Sequence, residues 1–212
     1  MKILIADDHA LFREGLKQIL RENFEGSFLD QASNGYEVMD KISTGEYDLV
    51  LLDIAMPGLS GLDVLKQLRI QKPKLRVLVL SMYPEGQYAV RAIRAGASGY
   101  LTKRSASDEL IEAIKKVSAG SIYVTAAIAE KLMVDFRPDT GKPPHELLSD
   151  REFQILCMIA SGKTVSVIAE ELNLSVKTVS THRVHILEKM KMKNNAELTN
   201  YAIKYQIINL TD

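Results

Sequence analysis

Residues 2–8, Lys2-Ile-Leu-Ile-Ala6-Asp7-Asp8, and residues 48–53, Asp48-Leu-Val-Leu-Leu52-Asp53, decide the fold. Each is a short apolar run that stops on a carboxylate. Runs of this length, bounded by turn signals, suit strands buried on both faces of a parallel sheet. Two more behave alike: Arg76-Val-Leu-Val-Leu80 ends beside Ser81, and Ser98-Gly-Tyr-Leu101 ends beside Lys103. A sheet built from these runs gathers three acids, a hydroxyl and an ammonium at one edge, the chemistry of a magnesium and phosphoryl site.

Outward from these stretches the pattern alternates. Strands are expected near 2–6, 27–32, 48–52, 76–80 and 98–101, and between them apolar residues at helical spacing predict helices at about 10–22, 35–44, 60–70, 85–95 and 107–118. Five βα units with right-handed crossovers make an α/β fold, a five-stranded doubly wound parallel sheet of flavodoxin-like kind whose ligands bind at the carboxyl ends of the strands. The expected first domain is 1–120.

Residues 121–146 read as a linker, with an apolar patch over 122–134 and then the turn-rich stretch Arg137-Pro-Asp-Thr-Gly-Lys-Pro-Pro144, which cannot continue a helix. A small all-α domain is expected over 147–212. Ser149-Asp-Arg-Glu152 forms a capping box ahead of the apolar run Phe153 to Ile159, and Gly162 ends that helix. A helix over 165–172, a tight turn at Asn173-Leu174, a helix capped by Ser175 and carrying Val176, Val179, Ile186, Leu187 and Met190, and a last helix at about 196–205 complete it.

Composition narrows the classes. Hydrophobic residues make up 46% and charged residues 25%, which suits a globular protein. No apolar stretch approaches the ~20 residues that span a bilayer, and the N-terminus runs straight into a strand, so no membrane partner and a cytoplasmic location are expected. Cys157, the one cysteine, sits among Leu156, Met158 and Ile159 and reads as a buried small hydrophobe. Charge balances at 27 basic against 27 acidic residues, but over 175–193 Lys177, Arg183, Lys189, Lys191 and Lys193 face only Glu188. A polyanion would therefore meet one element rather than the whole surface.

A carboxylate is a weak nucleophile toward phosphorus, so its attack needs a cation on the phosphoryl oxygens and groups that hold them in line. Mg2+ wants about six oxygens and keeps several waters. Asp8 and Asp53 are the expected direct ligands, Asp7 a ligand through water, and the carbonyl of Ala55 the backbone donor. Lys103 would pair with one phosphoryl oxygen and Ser81 would donate to another. Strand-end acids can merely cap helices, but three acids, a hydroxyl and an ammonium gathered at strand ends point to a site.

The set Asp7-Asp8, Asp53, Ser81, Tyr100 and Lys103, with Asp53-Ile-Ala-Met-Pro-Gly58 and Gly96-Ala-Ser-Gly-Tyr-Leu-Thr-Lys103, resembles the receiver domain of bacterial two-component response regulators. The resemblance covers about residues 1–120. It implies that Asp53 is the phosphoacceptor for a histidine of a sensor kinase, and that Ser81 and Tyr100 are the switch hydroxyl and switch aromatic, the ring swinging inward on phosphorylation. The chain departs from the pattern in three places. Arg104 follows Lys103 where many receivers carry proline, so the residue that makes a cis peptide cheap is missing. Met82 follows the switch hydroxyl, where a small side chain leaves more room. Ala55 offers no side-chain amide or acid to orient water.

The pair of helices at 165–172 and 175–190 has the lengths of a helix-turn-helix, whose second helix enters the major groove. Leu148-Ser-Asp-Arg-Glu152 and the run from Leu174 to Met190 resemble the LuxR-type helix-turn-helix of the NarL/FixJ response regulators over 147–208. Carried over, the resemblance puts Ser180, Thr181 and Val184 at base-facing positions and Lys177, Thr178, Arg183 and Lys189 nearer phosphate. Ser and Thr can serve donor or acceptor edges and Val suits a thymine methyl, so bidentate base readout is weak here. The stripe Ala196, Leu198, Ala202 and Ile203 is implied to pair across a two-fold axis on DNA. His182 and His185 stand at a ligand spacing without a third ligand, which favours a phosphate contact or packed imidazole over zinc. The whole chain then reads as a transcription regulator that is not an enzyme, with a sensor histidine kinase, promoter DNA, RNA polymerase and, on phosphorylation, a second copy as its partners. A phosphohydrolase would want a second acid where Ala55 stands, and an adaptor without DNA would not need the helix-turn-helix.

Overall fold

The computed structural model describes residues 1–83, 86–134, 143–205 and 207–208. The chain falls into two compact units, 1–132 and 133–212.

In the first unit, strands β1 (Lys2–Ala6), β2 (Phe28–Ala32), β3 (Leu49–Asp53), β4 (Arg76–Ser81) and β5 (Gly99–Thr102) alternate with helices α1 (Ala10–Asn23), α2 (Gly35–Thr44), α3 (Gly61–Gln71), α4 (Gln87–Arg94) and α5 (Ser107–Ser118). The strands form one parallel sheet in the order β2-β1-β3-β4-β5. Every residue of β3 is buried, whereas edge strand β2 leaves Phe28 58% exposed. Alternation divides the core in two. Ile3, Ile5, Leu49, Leu51, Leu78 and Leu80 pack with Leu16 and Leu20 of α1 and with Leu110, Ile114 and Val117 of α5, while the intervening Leu4, Val50, Leu52, Val77 and Val79, also buried, face the opposite side of the sheet. The five-stranded α/β fold expected from the apolar runs is the one observed, with boundaries shifted by a residue or two; Asp53 and Ser81 are the last residues of their strands rather than the first beyond them.

The stretch expected as a linker holds more structure than its composition suggested. Tyr123 forms a parallel bridge with Gly99 and its N–H donates to the Ser98 carbonyl at 2.8 Å. Gly99 permits this approach, since a Cβ there would lie 2.8 Å from the Tyr123 carbonyl oxygen. Helix α6 (Ala126–Val134) follows. The division between the units falls after Leu132, inside the expected linker. Most of the Pro-rich stretch 137–144 lies outside the described residues.

The second unit opens with a 3-10 turn over Pro144–Leu147 and then carries α7 (Asp150–Ala160), α8 (Val165–Glu171), α9 (Val176–Met190) and α10 (Asn195–Lys204). The capping box is present: Ser149 Oγ accepts from the Glu152 N–H and the Glu152 carboxylate accepts from the Ser149 N–H. Gly162 ends α7 at φ 85°, and Asn173 makes the turn between α8 and α9 at φ 51°. Cys157 is buried. Among the described residues no helix is long and apolar enough to cross a membrane.

Candidate functional site

The parallel register builds the first site. It pairs Ala6 with Leu52, Asp53 with Leu80 and Ser81 with Thr102. Asp7 and Asp53 therefore stand at one level on neighbouring strands, with Ser81 one step farther on β4 and Lys103 two steps farther, just past the end of β5. Strands β1 and β3 also flank the point where the strand order reverses, the place where open sheets of this kind hold ligands.

Lys103 Nζ lies 2.6 Å from Asp7 Oδ2 and 2.8 Å from Asp53 Oδ2, with all three side chains almost fully buried. Burial pushes the Asp53 pKa up to about 6; Lys103 opposes this and Asp7 adds to it. Burial alone would lower the pKa of Lys103, but the carboxylates of Asp53 and Asp7 outweigh it and hold the ammonium above its ordinary value. Asp53 Oδ1 accepts from the Ala55 N–H at 3.2 Å. Asp7 Oδ1 accepts from the His9 N–H at 2.8 Å and lies 3.2 Å from His9 Nδ1. Asp8 is the most open of the three acids, and its Oδ1 sits 2.7 Å from His9 Nδ1 as a charge contact without hydrogen-bond geometry.

Ligand atoms of Asp7, Asp8, His9 and Asp53 lie within 4.8 Å of one another. Three carboxylates round a buried oxygen that lacks a donor suit a hard divalent cation, as expected for Mg2+. Two supports of this cluster were not foreseen. Arg13 donates through Nη1 to the Asp7 carbonyl at 2.6 Å and through Nε to Gln31 Oε1 at 2.9 Å, tying the end of β1 to β2. Any Cβ at Gly61 would collide with the backbone carbonyl of Asp53, so glycine there sets the path that α3 takes away from the site.

Ser81 and Tyr100, expected as a hydroxyl and an aromatic acting together, meet on the backbone of one residue, Tyr83. Ser81 Oγ accepts from the Tyr83 N–H at 3.1 Å, and the Tyr100 hydroxyl donates to the Tyr83 carbonyl at 2.8 Å. Tyr100 is fully buried. The inward position expected only after phosphorylation is thus already occupied, because its hydroxyl finds a backbone acceptor there. The Lys103 N–H donates to the Ser81 carbonyl at 2.8 Å, joining β4 to the lysine loop, and no cis peptide occurs among the described residues.

In the second unit, α9 leaves Lys177, Thr178, Ser180, Thr181 and Val184 exposed on its outer side, while Val179, Ile186 and Met190 are buried. Val176 is 51% exposed at the start of the helix. Two residues expected near phosphate have partners inside the unit. Arg183 Nε donates to Asn195 Oδ1 at 2.6 Å, and Lys189 Nζ lies 2.6 Å from Glu152 Oε2. Burial would raise the Glu152 pKa, but the bonds from Lys189 and from Ser149 outweigh it and lower it. Leu198 and Ala202, expected in a pairing stripe, are fully buried and α10 packs on α7; of that stripe Ala196 is exposed and Ile203 half-buried. His182 is half-buried, and burial lowers its pKa. The only cluster of metal-ligand type among the described residues is the one at Asp53.

Sequence reasoning passed over His9, although a ligating side chain directly after two acids was a visible signal. Tyr83 acts through its backbone and left no signal at all.

Comparison with known proteins agrees with this geometry. Residues 3–115 match the response regulator receiver domain, and residues 146–202 match the bacterial regulatory proteins of the luxR family. The chain is 36% identical over 215 residues to the oxygen regulatory protein NreC of Staphylococcus carnosus, covering 98% of this chain and 99% of that one. It is 33% identical to the response regulator UvrY of Escherichia coli, over 99% and 96% of the two chains. Among solved structures, RcsB from Salmonella enterica serovar Typhimurium, bound to promoter rprA in the presence of phosphomimetic BeF3-, superposes with a TM-score of 0.63 at 25% identity over 95% of this chain and 98% of that one.

Proposed function

Since this chain belongs to the NarL/FixJ family of two-component response regulators, with a receiver domain followed by a LuxR-type DNA-binding domain, we propose that Asp53 accepts a phosphoryl group from a sensor histidine kinase and that this switches promoter binding. The observation that carries the reading is the buried Asp53 carboxylate, proton-hungry at about pH 6, facing a lysine that it shares with Asp7.

An Asp53 oxygen attacks phosphorus in line; the new O–P bond forms as the P–N bond to the kinase imidazole breaks, its electron pair returning to nitrogen. Lys103 then exchanges the Asp53 carboxylate for a phosphoryl oxygen without leaving its place beside Asp7. Ser81 turns its hydroxyl from the Tyr83 N–H toward a second phosphoryl oxygen, and the backbone at Tyr83, whose carbonyl is held by Tyr100, moves with it. Asp8 and Asp53, with the Ala55 carbonyl and Asp7 through water, would hold Mg2+, which neutralises the transferring oxygens when bound.

On the second domain, Ser180, Thr181 and Val184 read base edges while Lys177, Thr178 and Arg183 meet phosphate. Lys189 stabilises the fold through Glu152 and serves DNA less directly than the sequence implied. The phosphorylated form acts as a homodimer that engages RNA polymerase at the promoter. Exposure of Lys177, Thr178, Ser180, Thr181 and Val184 on one helix supports this assignment.

Intact-mass measurement with acetyl phosphate and magnesium tests the phosphoacceptor. One acid-labile phosphoryl group should appear, vanish in Asp53→Asn and fail to form under chelation. Undiminished labelling of Asp53→Asn would sink the assignment. Fluorescence anisotropy on a paired half-site should show tighter binding by the phosphorylated chain, and equal binding by both forms counts against switching.

A further inference from the structure

We propose that the middle of α9 selects DNA by its thymine methyl groups, Thr181 and Val184 packing against the 5-methyls of neighbouring T·A pairs in the major groove. The inference rests on the reading of α9 as the DNA face and names the bases that this face takes.

The burial pattern orients the helix. Val179, Ile186 and Met190 are buried, and Lys177, Thr181, Val184 and Glu188, spaced by four, three and four residues, form the exposed stripe on the opposite side. Lys177 opens this stripe and Glu188 closes it. A polyanion attracts the first and repels the second, so the N-terminal half of α9 enters the groove, with Thr181 and Val184 deepest. These two stand about 4.5 Å apart along the helix axis, close to the roughly 3.4 Å step between base pairs, and so reach neighbouring pairs.

What they offer is methyl groups. Thr181 Oγ1 donates to the Lys177 carbonyl at 3.0 Å, one turn back on its own helix. Its proton is spent there, and the group left for a base is the γ-methyl, beside an oxygen that can only accept. Val184 has no polar atom in its side chain and is 47% exposed. A β-branched residue is a weaker helix former than lysine, glutamate or alanine, so an exposed valine does nothing for α9 by itself. Two nearby polar side chains are engaged within the unit: Thr178 Oγ1 lies 2.7 Å from Ser175 Oγ, and Arg183 Nε donates to Asn195 Oδ1 at 2.6 Å. In the major groove thymine presents a methyl group, whereas guanine presents acceptors that need donors. Guanine opposite Thr181 or Val184 would lose water without gaining a donor, so the pair favours thymine and disfavours guanine.

The test uses the full chain treated with acetyl phosphate and magnesium. Duplexes that it selects from a random pool are remade with deoxyuridine in place of one thymidine at a time, which removes only the 5-methyl, and affinity is read by anisotropy. Expected in each half-site are two adjacent positions where this change weakens binding about fourfold, the worth of one buried methyl group, with the slope of log affinity against log salt unchanged. Val184→Ala should abolish the penalty at one of these positions. Thr181→Ser, which keeps the hydroxyl and loses the methyl, should abolish it at the other; both residues are exposed, so neither variant threatens the fold. Deoxyuridine binding as well as thymidine at every position would overturn the proposal, as would selected sites without adjacent T·A pairs. Penalties that persist undiminished in both variants would overturn it too, since the methyls would then act through DNA shape. Failure to retain any sequence from the pool would strike the underlying reading of α9, and the proposal with it.

Discussion

Asp53 with Lys103 in the first unit and Glu152 with Lys189 in the second are both carboxylate–lysine contacts, 2.8 and 2.6 Å long, with carboxylates 1% and 5% exposed. Their proton affinities move in opposite directions. Burial raises Asp53 to about 6, because its lysine is divided with Asp7 and only one backbone N–H supplements it. Glu152 is lowered, because Lys189 reaches both its oxygens, Ser149 adds a backbone donor and the lysine stays 42% exposed. The charge of a buried acid is cheap when its donors are its own and costly when they are shared. A costly anion stabilises whatever cation or phosphoryl group completes it, whereas a satisfied one holds a fold together.

The sharpest way to break this comparison is to remove each lysine. Lys103→Ala leaves two buried acids without a cation and should cost about 3 kcal/mol at pH 7 in chelator, whereas Lys189→Ala, at a half-exposed site, should cost about 1 kcal/mol. Hydrogen exchange on the full chain reads each unit separately; equal losses would dissolve the distinction. Next in size is Asp53→Asn, which removes a carboxylate whose native pKa exceeds its unfolded value. Such a group stabilises below the unfolded pKa and loses that contribution as pH rises through about 6, so the variant should be more stable than wild type by on the order of 2 kcal/mol at pH 7, and the gain should vanish near pH 4.

Glu152→Gln should do the reverse. Its lowered pKa gives stability that is present above about 4.5 and lost as pH falls through the native value, so the variant should cost the second unit roughly 1 to 2 kcal/mol at pH 7 and progressively less in acid. A gain on Glu152→Gln would contradict the assignment of this pair to the fold. The smallest effects separate fold from DNA face on α9: Arg183→Ala should reduce the slope of log affinity against log salt by about one, while Lys189→Ala should leave it nearly unchanged. Anisotropy at several salt concentrations decides, and a slope change confined to Lys189→Ala would return that lysine to the phosphate contacts.

The amino-acid sequence alone determined the sheet, its strand-end acids and the helical second unit, because an apolar run, a capping residue and a helical period act through neighbours a few positions apart. Asp7, Asp8, Asp53, Ser81 and Lys103 were legible for the same reason: each ends a run that must be buried. Tertiary structure alone decided that Lys103 serves two acids, that Ser81 and Tyr100 bond the N–H and the carbonyl of Tyr83, that Tyr100 is already inside, and that Lys189 and Leu198 are engaged within their own unit. These are contacts between residues far apart in the chain, and whether a charge is shared or a side chain spent depends on which distant groups the fold brings within about 3 Å, a distance that no local pattern encodes.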